Sequence, residues 1–208
     1  MLALLLLVII VVCVAFLYME GMWSNAVRFV NVVTAAVLAT CFWEPLADWL
    51  EEFEPSYTYV WDFLSMWAVF CACMLLFRVL TDQISKVKVR FLKIADRIGS
   101  ASFALLIGWV MMSFTLTTLH TAPLGKNFLF GGFQSGQAMF MGFSPDKAWL
   151  GFVRNVSCGA YCRSATEAEW EKKKYVFDPY GDFMKTYEDR RETVEEHNKA
   201  ANTLRVNR

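Results

Sequence analysis

The chain has 208 residues, of which 56% are hydrophobic and 19% are charged, and its formal net charge at pH 7 is zero. A typical soluble domain has about 45–50% apolar and about 25% charged residues. The composition excludes a disordered, collagen-like or coiled-coil chain, and the zero net charge argues against a basic nucleic-acid-binding protein. A membrane protein is the class that fits.

Four stretches with almost no charged residues predict four transmembrane helices in the first 121 residues. They are residues 1–19, 26–43, 57–77 and 98–121. Arg28 and Asp62 are the only Asp, Glu, Lys or Arg residues inside them, and each lies near the start of its stretch. Helices of about 20 residues cross about 30 Å of hydrocarbon while satisfying their own backbone hydrogen bonds. The predicted fold class is an all-α membrane protein with four spans.

Residues 1–19 are expected to remain as the first span rather than to be cleaved as a signal peptide. No Lys or Arg precedes the apolar run, and residues 18–22 offer no small-residue cleavage pattern. A secretory signal is expected to show both features.

The loops between the spans predict how the protein is oriented. The loop between spans two and three has five acidic residues and no basic one: Glu44, Asp48, Glu51, Glu52 and Glu54. The loop between spans three and four is rich in basic residues: Arg78, Lys86, Lys88, Arg90, Lys93 and Arg97. Because basic loops stay in the cytoplasm, we expect both termini and the acidic loop to lie outside.

Both loops have the periodicity of helices that lie on a membrane surface. The apolar residues of the acidic loop recur at helical spacing, at Leu46, Trp49, Leu50 and Phe53. Its acids form either a docking surface for a partner or cations, or a solvated face above an apolar anchor. The basic loop, from residue 84 to residue 98, suits an anionic lipid leaflet, although its charges also suffice simply to set the topology.

The polar side chains in the middle of the predicted spans are all uncharged. No ionisable residue lies in the middle of a span, which argues against a self-sufficient secondary transporter. Ser113, Thr117 and Thr121 recur every four residues in span four and are a candidate pore lining. The alternative is that these hydroxyls bond to their own backbone or to a neighbouring helix.

Small residues at four-residue spacing predict close helix packing. Span four has Ser100, Ala104 and Gly108 in one row, and span three has Ala68 and Ala72. Such rows let helix backbones approach each other in lipid. The contact is either within one chain or between copies.

The start of span four carries a family resemblance. The sequence Asp96-Arg97-Ile98-Gly99-Ser100, followed by Ala104 and Gly108, resembles the motif that opens the last span of the colicin V production protein family. The turn Glu20-Gly21-Met22 resembles that family's glycine-bearing turn after the first span. The matching positions are Gly21, Asp96, Arg97 and Gly99. Glycines are usual in the family where this chain has Ser100 and Ala104, and an arginine is expected where it has Glu20.

The resemblance covers residues 1–121. It implies a four-span protein of the cytoplasmic (inner) membrane that is linked to bacteriocin production or export. The family has no established catalytic activity, so the resemblance does not imply a reaction.

The rest of the chain divides into two parts. Residues 122–163 are rich in Gly and Phe and are expected near the membrane surface, with a short helix that begins at Ser144-Pro145-Asp146. Residues 164–208 are predicted to be a charged tail that is either an exposed helix or partly disordered.

Neither a catalytic nor a cofactor site is evident from the sequence. His120 is interpreted as an interfacial residue, and no nucleophile–base arrangement or phosphate-binding loop is present. Cys158 and Cys162 are a disulfide, a free pair or part of a metal site, and the sequence leaves these three open. We expect a protein that is not an enzyme and that has no cofactor.

Two functions remain. The first is a membrane accessory or scaffold protein that associates with itself or with other envelope proteins. The second is an oligomeric pore or export component lined by the hydroxyls of span four. For both, the expected partners are the lipid bilayer and proteins, without nucleic acid or a small-molecule substrate.

Overall fold

The computed structural model describes residues 2–84, 92–124, 142–158 and 177–206. Within these ranges the structure consists of seven α-helices, short connections and a 3-10 turn at Pro55–Tyr57. The helices are α1 (Leu2–Leu17), α2 (Met22–Phe42), α3 (Glu44–Phe53), α4 (Thr58–Ile84), α5 (Lys93–Thr121), α6 (Pro145–Val156) and α7 (Phe183–Val206). The predicted all-α class is confirmed.

Three helices correspond to the predicted spans two, three and four. Helices α2, α4 and α5 are long and apolar enough to cross a membrane. Helix α1 is also apolar but has 16 residues, fewer than the roughly 20 of an average span. The first of the four spans therefore stays a prediction.

Helices α4 and α5 continue past the predicted ends of their spans. Helix α4 reaches Ile84, and α5 begins at Lys93 rather than at residue 98. Extending a formed helix is easier than nucleating a new one, which favours these continuations. Arg78, Lys93 and Arg97 thus lie on the ends of long helices instead of on a separate surface helix. The remaining predicted basic residues, Lys86, Lys88 and Arg90, lie outside the described residues.

Helix α5 packs against α1, α2, α4 and α6. Gly108 of α5 allows α1 to come close, because a Cβ added at this glycine would lie 3.3 Å from the Cα of Ile10. Ala104, one turn earlier, is fully buried. The small residues of α5 therefore serve packing within the chain.

Aromatic side chains fill the space between α2, α4 and α5. The rings of Phe70 and Phe114 are 4.8 Å apart between centroids, and Trp149 of α6 meets Phe114 edge-on. Met66 is completely buried in the same cluster. The centre of the bundle is thus a packed core.

The bundle has two polar ends. We call the end formed by residues 18–22, 78–84 and 93–100 the proximal end. The end formed by residues 40–62 and 113–122 is the distal end, and α6 and the first part of α7 pack there.

The C-terminal extension is partly folded onto the bundle. Phe183, Met184 and Tyr187 of α7 are buried in the same core cluster as Trp43. The expectation of an exposed tail is therefore wrong for the first part of α7. These three apolar side chains lie within one helical turn, so they form a face that can bury against the distal end.

Candidate functional site

The proximal end brings together two of the residues in the family motif. The backbone N–H of Met22 donates to Oδ1 of Asp96 over 2.9 Å. Gly21 has a φ of +90°, and a Cβ there would lie 3.6 Å from both carboxylate oxygens of Asp96. Asp96 thus satisfies a free N–H at the start of α2, and its charge faces the positive end of that helix. Gly21 provides the backbone conformation that the turn requires.

A second contact at the proximal end joins three helices. The side-chain amide of Asn25 donates to the carbonyl of Leu17 over 2.8 Å and to Oγ of Ser100 over 2.9 Å. The Ser100 hydroxyl in turn donates to the carbonyl of Tyr18 over 2.9 Å. Asn25 and Ser100 are buried. Together they bond the carbonyls of Leu17 and Tyr18 at the end of α1 to side chains of α2 and α5, where the helix itself supplies fewer donors.

The other motif residues lie around this contact. A Cβ at Gly99 would lie 2.2 Å from the sulfur of Met22, so glycine leaves room for that side chain. Arg97 is exposed. Glu20, at the position where the family resemblance leads one to expect arginine, forms an ion pair of 2.6 Å with Arg28. A basic group therefore lies beside this turn, but it comes from α2.

The distal end contains a buried histidine–aspartate pair. Nε2 of His120 lies 3.0 Å from Oδ2 of Asp146, and both side chains are at most 1% exposed. A carboxylate only accepts hydrogen bonds, so we assign the shared hydrogen to Nε2. The interpretation of His120 as an interfacial residue is wrong, because the start of α6 covers it.

A second polar cluster joins α7 to α4 at the distal end. Asp62 accepts a hydrogen bond of 3.1 Å from the hydroxyl of Tyr187 and forms an ion pair with Arg190. The other nitrogen of that guanidinium lies 3.4 Å from the carbonyl of Thr58. Burial raises the pKa of Tyr187, and the negative charge of Asp62 raises it further. The phenol therefore stays protonated and donates to Asp62.

The hydroxyls of α5 that are the candidate pore lining are buried and bonded within their own helix. Ser113, Thr117 and Thr121 are at most 3% exposed. Each donates to a carbonyl of its own helix, at distances of 2.8, 3.1 and 2.8 Å. This outcome agrees with the backbone-bonding alternative, and it removes these groups from any surface that a second copy could contact.

Two other groups of predicted residues lie at the surface or partly outside the described residues. Ala68 and Ala72 are exposed on α4, so they do not pack against another helix of the described residues, and their packing between copies stays a prediction. Cys158 is a half-buried, free cysteine, and Cys162 lies outside the described residues. The choice among a disulfide, a free pair and a metal site therefore stays open.

Helix α3 forms the predicted surface helix and presents its acids to solvent. Four of them are on α3 and the fifth follows it directly, and all are exposed: Glu44, Asp48, Glu51, Glu52 and Glu54. The pKa of Glu44 is raised by partial burial and by the nearby charges of Asp48 and Asp62. Trp49 and Phe53 stack on each other and are also exposed. Trp49 and Phe53, which belong to the apolar face predicted to anchor α3, thus point away from the bundle.

A family model described as Colicin V production protein matches residues 2–140. The chain belongs to the Colicin V production protein family. No curated protein and no solved structure matches it.

The matched region includes the whole proximal end, as well as Asp62 and His120 at the distal end. The partners of these two residues, Asp146, Tyr187 and Arg190, follow the matched region of the Colicin V production protein family. Since α2, α4 and α5 are long and apolar enough to cross a membrane, the chain is a membrane protein of this family, and its helices α6 and α7 pack at the distal end.

Proposed function

We propose that this chain is a scaffold protein of the cytoplasmic membrane that binds a basic partner protein through α3 and so supports bacteriocin production or export. In this proposal α1 is the first of four spans, and both termini lie outside together with α3. The single observation that carries the proposal is the acidic surface of residues 44–54. Five exposed acids lie there in a stretch without Lys or Arg.

The charges of this surface indicate the kind of partner. A cluster of like charges is costly to hold together, and a Lys- or Arg-rich segment of another protein relieves that repulsion. The exposed aromatic pair Trp49 and Phe53 suits the membrane–water interface, where aromatic rings are enriched. Anchored in this way, α3 would lie along the membrane with its acids accessible.

The packing of the bundle also favours a scaffold over a pore. The core between α2, α4 and α5 is filled by side chains such as Met66 and Phe114. The hydroxyls proposed as a pore lining are bonded to the backbone of α5. A rigid bundle of this kind is suited to holding a surface in place.

The proposal is tested by cross-linking in native membranes and purification of the tagged chain. We expect the triple variant Asp48→Asn/Glu51→Gln/Glu52→Gln to lose about tenfold or more of a discrete cross-linked partner, because rim charges govern such encounters. The matched control, Asp189→Asn/Glu192→Gln/Glu196→Gln, removes three exposed acids from α7. It is expected to retain the partner. Equal yields from the two triple variants would contradict the role of α3.

A further inference from the structure

A cavity of about 170 Å³ lies between α2 and α4 at the proximal end. Two arginines, Arg28 and Arg78, line it together with the carboxylate of Asp82. Its lining also includes apolar side chains such as Val27 and Met74. The cavity thus combines cationic and apolar surface, which distinguishes it from a simple solvated cleft.

The cavity also has a buried polar contact. Asn31 is 8% exposed, and its side-chain amide donates to the hydroxyl of Thr81 over 3.1 Å. Both residues line the cavity. The hydroxyl of Thr81 donates to the carbonyl of Phe77 over 2.7 Å. This contact fixes α2 against α4 and places polar atoms beside the apolar lining.

The two guanidinium groups can accept an additional anionic ligand. Arg28 is joined to Glu20 through one nitrogen, and a guanidinium has five N–H donors. Arg78 lies 3.9 Å from Asp82, at the limit of an ion pair, and both side chains are about three-quarters exposed. Such an exposed pair contributes little. A phosphate, which guanidinium groups bind in a bidentate manner, would compete well for Arg78.

The lining of the cavity changes from charged to apolar along α4, as a bilayer changes from its headgroup region to its hydrocarbon. From Asp82 to Met74 the lining extends eight residues along α4, or about 12 Å along the helix axis. It runs from charged residues near the end of the helix to apolar residues inside the span. Large apolar side chains on the same two helices, Val30 and Leu75, are exposed and offer surface for acyl chains.

We propose that this cavity binds the phosphate of one anionic phospholipid, with Arg28 and Arg78 as its cationic ligands and the acyl chains along α2 and α4. Basic pockets between transmembrane helices bind such headgroups in general. The site requires only that α2 and α4 cross a membrane. It is independent of the partner proposed for α3, so each proposal can fail without the other.

Native mass spectrometry of the full chain, purified in mild detergent and supplied with phosphatidylglycerol, tests the site. We expect one lipid to stay bound, and Arg28→Gln/Arg78→Gln to weaken its binding about tenfold or more, as loss of charged hydrogen bonds predicts. Val27→Trp keeps both charges and fills the cavity, and we expect a similar loss. Lys93→Gln/Arg97→Gln removes two charges from the same end outside the cavity and is expected to retain the lipid.

Further arms of the experiment distinguish a lipid from a free phosphate ester. Glycerol phosphate at millimolar concentration should leave the bound lipid in place, because it lacks acyl chains. Displacement of the lipid by glycerol phosphate alone would contradict the lipid assignment. Retention of lipid by the folded Val27→Trp protein, or equal losses in the two charge variants, would overturn the site itself.

Discussion

Replacing Asp146 with alanine is expected to lower the free energy of unfolding by about 3 kcal/mol. The change removes the partner of Nε2 of His120, which lies 3.0 Å from the carboxylate in a site that is almost completely buried. A buried polar group without its partner bears the full cost of desolvation. The measurement is denaturant unfolding in mixed micelles, followed by tryptophan fluorescence.

Two further variants make this first prediction specific. Lys147→Ala changes the next residue of α6, which is exposed, and should stay within about 0.5 kcal/mol of the unmodified chain. Asp146→Asn keeps an acceptor oxygen and should lose less than Asp146→Ala. A loss for Asp146→Ala that is no larger than that for Lys147→Ala would show that the pair does not stabilise the distal end.

Replacing Arg190 with alanine is expected to release α7 from the bundle. The change removes the ion pair with Asp62 and the contact with the carbonyl of Thr58. Loss of charged hydrogen bonds of this kind costs about 2 kcal/mol, which increases the population of an undocked α7 by a factor of roughly 30. Hydrogen exchange of the first turns of α7 measures this release.

A double-mutant cycle identifies the cause of the release. Because Asp62→Ala removes the same ion pair from its other side, the double variant Asp62→Ala/Arg190→Ala should lose less than the sum of the two single losses. Lys185→Ala, at an exposed position of α7, is the matched control and should leave exchange unchanged. Strict additivity of the two single losses would contradict a direct Asp62–Arg190 interaction.

The parts of the fold that depend on local patterns could be predicted from the sequence. Long apolar stretches predict α2, α4 and α5, and the start of α6 at Pro145 follows from its proline and flanking residues. The acidic helix α3 follows from the spacing of its apolar residues. In each case the signal lies within one helix length, so no knowledge of the tertiary contacts is needed.

The contacts that build the two ends join residues far apart in the chain. Asn25 and Ser100 are separated by 75 positions, and Asp62 and Arg190 by 128. Periodicity within one element carries no information about such partners. The partner of His120 is also distant in the chain, because Asp146 lies 26 positions later in α6.

One sequence signal could have identified the docked tail. Phe183, Met184 and Tyr187 are three apolar residues within one turn of an otherwise charged segment, and they are the residues that bury. Because the segment is polar on average, its composition alone does not predict that these three residues are buried. Of the family motif, Asp96 accepts a hydrogen bond from the N–H of Met22, the residue after Gly21, and the resemblance alone does not indicate this geometry.

We propose that the helices form a packed bundle that acts by contact and not by conduction. Ion flux through the purified full chain in liposomes tests it most directly, with a pore-forming peptide as the positive control. The packed core and the backbone-bonded hydroxyls of α5 predict no flux above that of protein-free liposomes, whatever the ion or voltage. Flux that rises with the amount of protein and changes in Ser113→Ala or Thr117→Val would contradict the claim.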